Sequence, residues 1–131
     1  MILTKQIVLA HGESFLVRCG LRTWDDMIYL QDKDGRLVRL TGERREHLES
    51  DHPEMRGQIA RIEETLRGPE QVIRSRTDPQ VELHYRLYAT TPVTRKHLCV
   101  VVKSLSKEDA FVVTAYFTDT PKRGDVLWAT K

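Results

Sequence analysis

The strongest constraint on the fold is a change of hydrophobic period at Pro69. Before it, four apolar residues recur at spacings of four, three and four, which places them on one face of a helix. These residues are Met55, Ile59, Ile62 and Leu66. After it, every periodic segment alternates apolar and polar residues, as β-strands do. Because short turns join these strands, neighbours must pair in antiparallel fashion. The sequence therefore predicts an α+β fold.

Two short helices are expected between an early and a late group of strands. Thr41 is placed to cap a helix over residues 43–50, and Pro53 suits the first turn of a second helix that stops at Gly68 and Pro69. The late strands are predicted at 71–76, 81–89, 97–104, 110–118 and 126–130. The early strands are predicted at 2–10, 14–18, 27–31 and 37–40, with the last two joined by a turn at residues 32–35.

Together these elements predict one domain over residues 1–131. Residues 43–131 are expected to pack two short helices on a four- to five-stranded antiparallel sheet, and residues 1–42 to form an N-terminal β-hairpin layer. A chain of 131 residues is long enough to bury a core without disulfides or metal.

Composition limits the cellular setting and the cofactors. No apolar run is long enough to cross a membrane, and residues 1–10 lack the layout of a secretion signal, so a cytoplasmic protein is expected. Cys19 and Cys99 are far apart and without metal-like spacing, and both are expected to be buried thiols. His47 and His52 lie five residues apart, which is not the spacing of two zinc ligands on one helical face. No cofactor or metal is therefore predicted.

Charge is distributed unevenly along the chain. The net charge is only +2, but no acid occurs between Glu82 and Glu108, while five basic residues do. Such a one-sided strand region favours a polyanion as partner, although charge on an exposed sheet also serves solubility. Trp24 and Trp128 are interpreted as core or strand-edge packing, since neither lies among basic residues.

Strand alternation predicts which side chains share a face of the sheet. With Val81, Leu83, Tyr85 and Leu87 assigned to the helix side, the alternate residues of that strand face away. The same reasoning puts Leu98, Val100 and Val102, and then Phe111, Val113, Ala115 and Phe117, on the helix side. The predicted open face then collects Glu82, His84, Arg86, Lys103, Thr114 and Tyr116.

This set has the residue types that RNA cleavage by transphosphorylation requires. A base must take the 2′-OH proton, cations must stabilise the phosphate, and an acid must protonate the leaving oxygen. Glu82 or His84 suits the base, Arg86 and Lys103 suit the phosphate, His84 or Tyr116 suits the acid, and Thr114 can donate a hydrogen bond. The same residue types are also typical of plain cross-strand pairing on an exposed antiparallel face.

Several stretches, in this order, resemble a known group of nucleases. They are HLESDHPE from His47, ETLRGPEQV from Glu64, LCVVVK from Leu98 and FVVTAYFTDTPKRG from Phe111, followed by Leu127 and Trp128. Over residues 43–128 the chain resembles the phage-type nuclease domains of the barnase, EndoU, colicin and RelE-like superfamily.

The resemblance implies a metal-independent ribonuclease with a toxin-like role, RNA as substrate and an inhibitor or antitoxin protein as partner. It implies that His47 and His52 are acid/base groups, that Arg86 contacts phosphate, and that Thr114 and Tyr116 form a polar pair. If the helices cover the other face, the two histidines reach this site only from the sheet's edge. The alternative is a non-catalytic module of the same fold that binds nucleic acid or protein.

Overall fold

The computed structural model describes residues 27–130, together with the backbone of two earlier strands at residues 3–9 and 14–19. Within these residues the elements are β1 (Leu3–Leu9), β2 (Ser14–Cys19), β3 (Ile28–Gln31), β4 (Leu37–Leu40), α1 (Gly42–Asp51), a 3-10 turn (Pro53–Met55), α2 (Ile59–Arg67), β5 (Gln71–Arg74), β6 (Val81–Tyr88), β7 (Lys96–Ser104), β8 (Ala110–Thr118) and β9 (Asp125–Ala129). The α+β prediction is confirmed. No helix in this part of the chain has the length and apolar content that a membrane crossing requires.

The first helix forms as predicted, and the second begins later than predicted. The Thr41 hydroxyl accepts a hydrogen bond from the backbone N–H of Arg44 at 3.1 Å, which caps α1. Pro53 starts only a 3-10 turn, because Gly57 has a φ of 75° and breaks the helical path. α2 then runs from Ile59 to Arg67 and is followed by Gly68 as its C-cap, where the sequence predicted its stop.

The strands join into one mixed sheet with the order β2-β1-β3-β4-β8-β7-β6-β5-β9. The last five strands pair antiparallel throughout, as expected. The prediction of a four- to five-stranded sheet with a separate N-terminal layer was wrong, because β4 pairs parallel to β8 and β1 pairs parallel to β3. The early strands therefore extend the same sheet.

Both faces of the sheet carry buried apolar residues. On the helix face, the helices and the sheet enclose the main core, which consists of Leu30, Val38, Leu40, Leu48, Met55, Ile62, Leu66, Leu98, Val100, Val102, Ala110, Val112 and Ala115. The opposite face carries a second, smaller core of Ile73, Leu83, Tyr85 and Cys99. Part of the connection from β8 to β9 lies on this opposite face, where the backbone N–H of Lys122 donates to the Tyr85 hydroxyl at 3.0 Å.

The second core explains why the face of β6 was predicted wrongly. Residues directly opposite each other in an antiparallel pair share a face. His84 lies opposite Val100 and Arg86 lies opposite Leu98, so both belong to the helix face. Leu83 and Tyr85 belong to the second core, but the prediction assigned them to the helix side. A strand buried on both faces gives no unambiguous pattern of alternation.

A bulge in β8 corrects the map of that strand as well. Val101 pairs with Thr114, but Val102 pairs with Val112, so Val113 is an extra residue. The bulge turns Val112 onto the helix face, where it is buried. Strict alternation, which put Phe111 and Val113 on the helix side, wrongly implied that Val112 faces away. Thr114 and Tyr116 lie on the opposite face, as predicted.

Candidate functional site

The seven predicted site residues do not gather at one place. His84 and Arg86 lie on the helix face, whereas Lys103, Thr114 and Tyr116 lie on the opposite face. The predicted single open face, with cations and proton donors side by side, is therefore not formed.

The two predicted phosphate-binding cations are engaged within the protein. An Nη1 hydrogen of Arg86 is donated to the carbonyl oxygen of Gly68 at 2.6 Å, at the C-terminus of α2, and its Nε lies 3.7 Å from Glu64. A cation stabilises a helix at that end. Lys103 donates to Asp78 at 3.4 Å. Both cations thus have structural partners.

Three of the predicted residues, His47, His52 and Thr114, line one groove at the edge of the sheet, and Tyr116 contacts His52 there. The fold explains why. β4 pairs with β8 only at Ala110 and Phe111. Within the described residues, the rest of that edge of β8 has no strand neighbour, and α1 and the 3-10 turn pack there instead. Between α1 and β8 lies a groove of about 350 Å³, here called the edge groove. Its lining residues are Glu43, Arg44, His47, Leu48, Asp51, His52, Val113 and Thr114.

His52 is the best-positioned titratable group of the edge groove. It follows the last residue of α1, and about a third of its side chain is exposed. Its ring contacts the ring of Tyr116, with centroids 5.5 Å apart. Its Nδ1 atom lies 3.6 Å from a carboxylate oxygen of Glu54, which favours one ring orientation. The imidazole is therefore both held in place and open to solvent.

The ring of Tyr116 lies beside this imidazole, and its hydroxyl interacts with Cys99. Burial raises the pKa of Tyr116 well above its usual value, and the neighbouring Cys99 and Tyr85 add to the shift. The phenol consequently keeps its proton at neutral pH. Cys99 itself is buried, and burial raises the pKa of its thiol to about 11. The expectation of a buried thiol is confirmed for Cys99, while the side chain of Cys19 lies outside the described residues.

Arg44 is a groove residue that the sequence did not single out. It lies in the first turn of α1, three residues before His47, so both project from the same side of the helix. The His47 side chain is about two-thirds exposed and lies 3.9 Å from Glu43. The i, i+3 spacing of Arg44 and His47 was the available signal.

A second and larger concavity, here called the hairpin cleft, has a volume of about 940 Å³. Its lining residues are Asp32, Lys33, Asp34, Gly35, Arg36, Leu37, Val72, Glu82, His84, Ser104, Ser106, Lys107, Glu108, Leu127 and Trp128. The sequence marked Glu82 and His84 as candidates, but it gave no indication that the β3–β4 turn and Trp128 would face them.

Arg36 holds the walls of the hairpin cleft together. Its guanidinium donates to Asp32 at 2.9 Å, to Ser104 at 2.8 Å and to Glu82 at 3.0 Å. Glu82 shares the same oxygen with Nε2 of His84 at 3.1 Å. Burial alone would raise the pKa of Glu82, but His84 and Arg36 outweigh it and hold the pKa below its usual range. These charged groups brace one another.

His84 is too enclosed for proton exchange with a substrate in this structure. Only 2% of the residue is exposed, and its buried Nδ1 has no hydrogen-bond partner. Its assignment as acid or base therefore has less geometric support than that of His52.

Comparisons with known proteins add no family assignment. Neither protein-family models nor curated proteins nor solved structures give a match to this chain. Among the described residues, no group of three or more His, Cys, Asp or Glu side chains is arranged to hold a metal ion.

Proposed function

We propose that the chain is a metal-independent endoribonuclease-like domain with the edge groove as its active site. The observation that carries the proposal is the contact of His52 with Tyr116 beside Thr114 and His47. These residues come from separate stretches of the sequence, and the nuclease resemblance singled out all four before the fold was known. Their convergence at the edge of the sheet supports that resemblance.

The proposed reaction is attack of the RNA 2′-oxygen on the adjacent phosphorus. The new P–O bond closes a 2′,3′-cyclic phosphate, and the bond to the 5′-oxygen breaks. His52 takes the 2′-OH proton, and His47 gives a proton to the leaving 5′-oxygen. Tyr116 and Thr114 donate hydrogen bonds to the phosphate, and the positive charge of Arg44 stabilises it.

A cleavage assay tests this assignment. A single-stranded RNA oligonucleotide is incubated with the purified protein in EDTA, and its 3′ ends are analysed by mass spectrometry. We expect cyclic phosphate ends, roughly 100-fold or greater loss of turnover for His52→Gln, and a smaller loss for Tyr116→Phe. His97→Gln is the matched control, because His97 lies on β7 near the Asp119 carbonyl, outside the groove. A substrate with a 2′-deoxy sugar at the cleaved position should resist cleavage.

A second candidate is a binding module without catalysis. It is favoured because Arg86 and Lys103 bond to groups of this chain and not to the edge groove. The cation that lines the groove is Arg44. This candidate predicts salt-sensitive RNA binding without cyclic phosphate products. Cleavage that survives His52→Gln unchanged would remove the edge groove as the active site.

A further inference from the structure

The hairpin cleft has features that the proposed ribonuclease does not use. The β3–β4 turn forms one wall, β9 and the β7–β8 loop form others, and Val72, Glu82 and His84 line it from β5 and β6. Its volume of about 940 Å³ is at the upper end of the range of ligand sites.

Trp128 presents its ring to this cleft. It belongs to neither buried core of the described residues, although it is a large apolar side chain on β9. The ammonium of Lys33, which comes from the β3–β4 turn, lies 5.1 Å from the centroid of the Trp128 ring. At that distance a cation is attracted by the face of the indole. The Trp128 ring therefore already binds a cation of this chain, the Lys33 ammonium.

The charges around Trp128 also favour a cation. Three cationic side chains of the lining, Lys33, Arg36 and Lys107, stand against four carboxylates, Asp32, Asp34, Glu82 and Glu108. Arg36 is fully engaged with its three partners. Besides the Trp128 ring, the Lys33 ammonium contacts Asp34 at 3.1 Å, and the Asp34 side chain is 72% exposed. Because an ion pair with an exposed carboxylate contributes little, Lys33 can leave the Trp128 ring at a smaller cost than Arg36 could leave its partners.

From this arrangement we infer that the hairpin cleft binds an arginine or lysine side chain of a basic segment in a partner protein. The guest cation replaces Lys33 on Trp128 and lies near the carboxylates of the cleft, while Lys33 moves out to solvent. Lys33 acts as an internal competitor that occupies the site when no partner is bound. A polyanion is disfavoured here, because the lining carries more carboxylates than cations.

This inference does not depend on RNA cleavage. The cleft is lined by the β3–β4 turn, β5, β6, the β7–β8 loop and β9, and the edge groove by α1 and β8, so the two sites share no lining residue. His52→Gln should therefore strongly reduce cleavage and leave peptide binding intact, and the two proposals can fail separately.

The experiment is a titration monitored by NMR. The probes are acetyl-Gly-Arg-Gly-amide and its lysine and citrulline counterparts, and the readout is the indole N–H signal of Trp128, assigned by its loss in Trp128→Leu. We expect saturable shifts with the arginine and lysine peptides and none with the neutral citrulline peptide.

The decisive variant is Lys33→Met, which removes the competitor. It should tighten binding of the arginine peptide by about two- to fivefold, the size of an exposed cation–π contact. Lys122→Met, which removes the same charge from the connection between β8 and β9, is the matched control and should bind as the unmodified protein does. Equal affinity of Lys33→Met and the unmodified protein, a citrulline peptide that binds equally well, or a shift produced by AMP instead of the peptides would each overturn the inference.

Discussion

Replacement of Arg36 by methionine should be among the most destabilising single changes in this chain. The Arg36 side chain is 13% exposed, and its carboxylate partners on Asp32 and Glu82 are 3% and 21% exposed. Methionine fills similar space but leaves both carboxylates without their cation. Breaking a buried ion pair by removing one partner costs about 3–5 kcal/mol.

The cost should fall near the lower end of that range. Asp32 still accepts backbone N–H bonds from residues 34 and 36, each at 2.9 Å, and Glu82 keeps its bond with His84. We therefore expect a loss of about 3 kcal/mol in the free energy of unfolding, or roughly 10 °C in Tm for a domain of this size.

Urea denaturation followed by circular dichroism measures this loss. Arg45→Met is the matched control, because Arg45 makes a partly exposed i, i+4 contact with Glu49 at 3.5 Å, and its removal should cost only about 0.5 kcal/mol. Arg36→Lys keeps the charge but not the three directed hydrogen bonds. Its loss of unfolding free energy should lie between those of Arg36→Met and Arg45→Met. A loss below about 1 kcal/mol for Arg36→Met would show that the network is not the brace described above.

Three further changes test other contacts. Because the pKa of Glu82 is lower in the folded protein than the 4.5 of a free glutamate, its carboxylate stabilises the fold above that pH, and this contribution is lost as the pH falls through the folded-state value. Denaturation of Glu82→Gln across pH 3–7 should accordingly show a weaker loss at low pH than the unmodified protein. Gly124→Ala would place its Cβ 2.5 Å from the Arg74 carbonyl oxygen and should cost about 1–3 kcal/mol in urea denaturation. Tyr88→Phe removes a hydroxyl that lies 2.6 Å from Glu64 and should cost about 1 kcal/mol by the same measurement.

Each of these three predictions has a result that would contradict it. An unchanged pH dependence in Glu82→Gln would mean that other carboxyl groups dominate acid unfolding. An unaltered stability of Gly124→Ala would mean that the backbone at residue 124 shifts freely. A Tyr88→Phe protein as stable as the parent would mean that water replaces the phenol contact without loss.

The sequence predicted local elements well because local signals determine them. The cap at Thr41, the stop at Gly68 and the late strands all follow from residues close together in the chain. The parallel pairing of β4 with β8 was not predictable in this way, since it joins segments about seventy residues apart. Alternation could not assign the face of β6, because both sides of that strand are buried.

In the candidate sites, too, single residues were predictable from local sequence, but their contacts with distant residues were not. His52 and Tyr116 were named separately, and only the path of α1 along the edge of β8 brings their rings together. The hairpin cleft was missed because its walls come from three distant segments, and because the turn at residues 32–35 was interpreted only as a turn. Trp128 was expected to pack in the core or at a strand edge, and nothing in its neighbours in sequence indicated that Lys33 would reach it.

The parallel pair between β4 and β8 has a consequence for how the chain unfolds. Val38 pairs with Ala110 and Arg39 pairs with Phe111, so the early and late strands belong to one continuous hydrogen-bonded sheet. A fragment that starts at residue 43 would lack Leu30, Val38 and Leu40 from the main core. It would also expose the edge of β8 that pairs with β4, and exposed strand edges pair with other chains. The two halves should therefore melt in a single cooperative transition, and the isolated C-terminal half should self-associate.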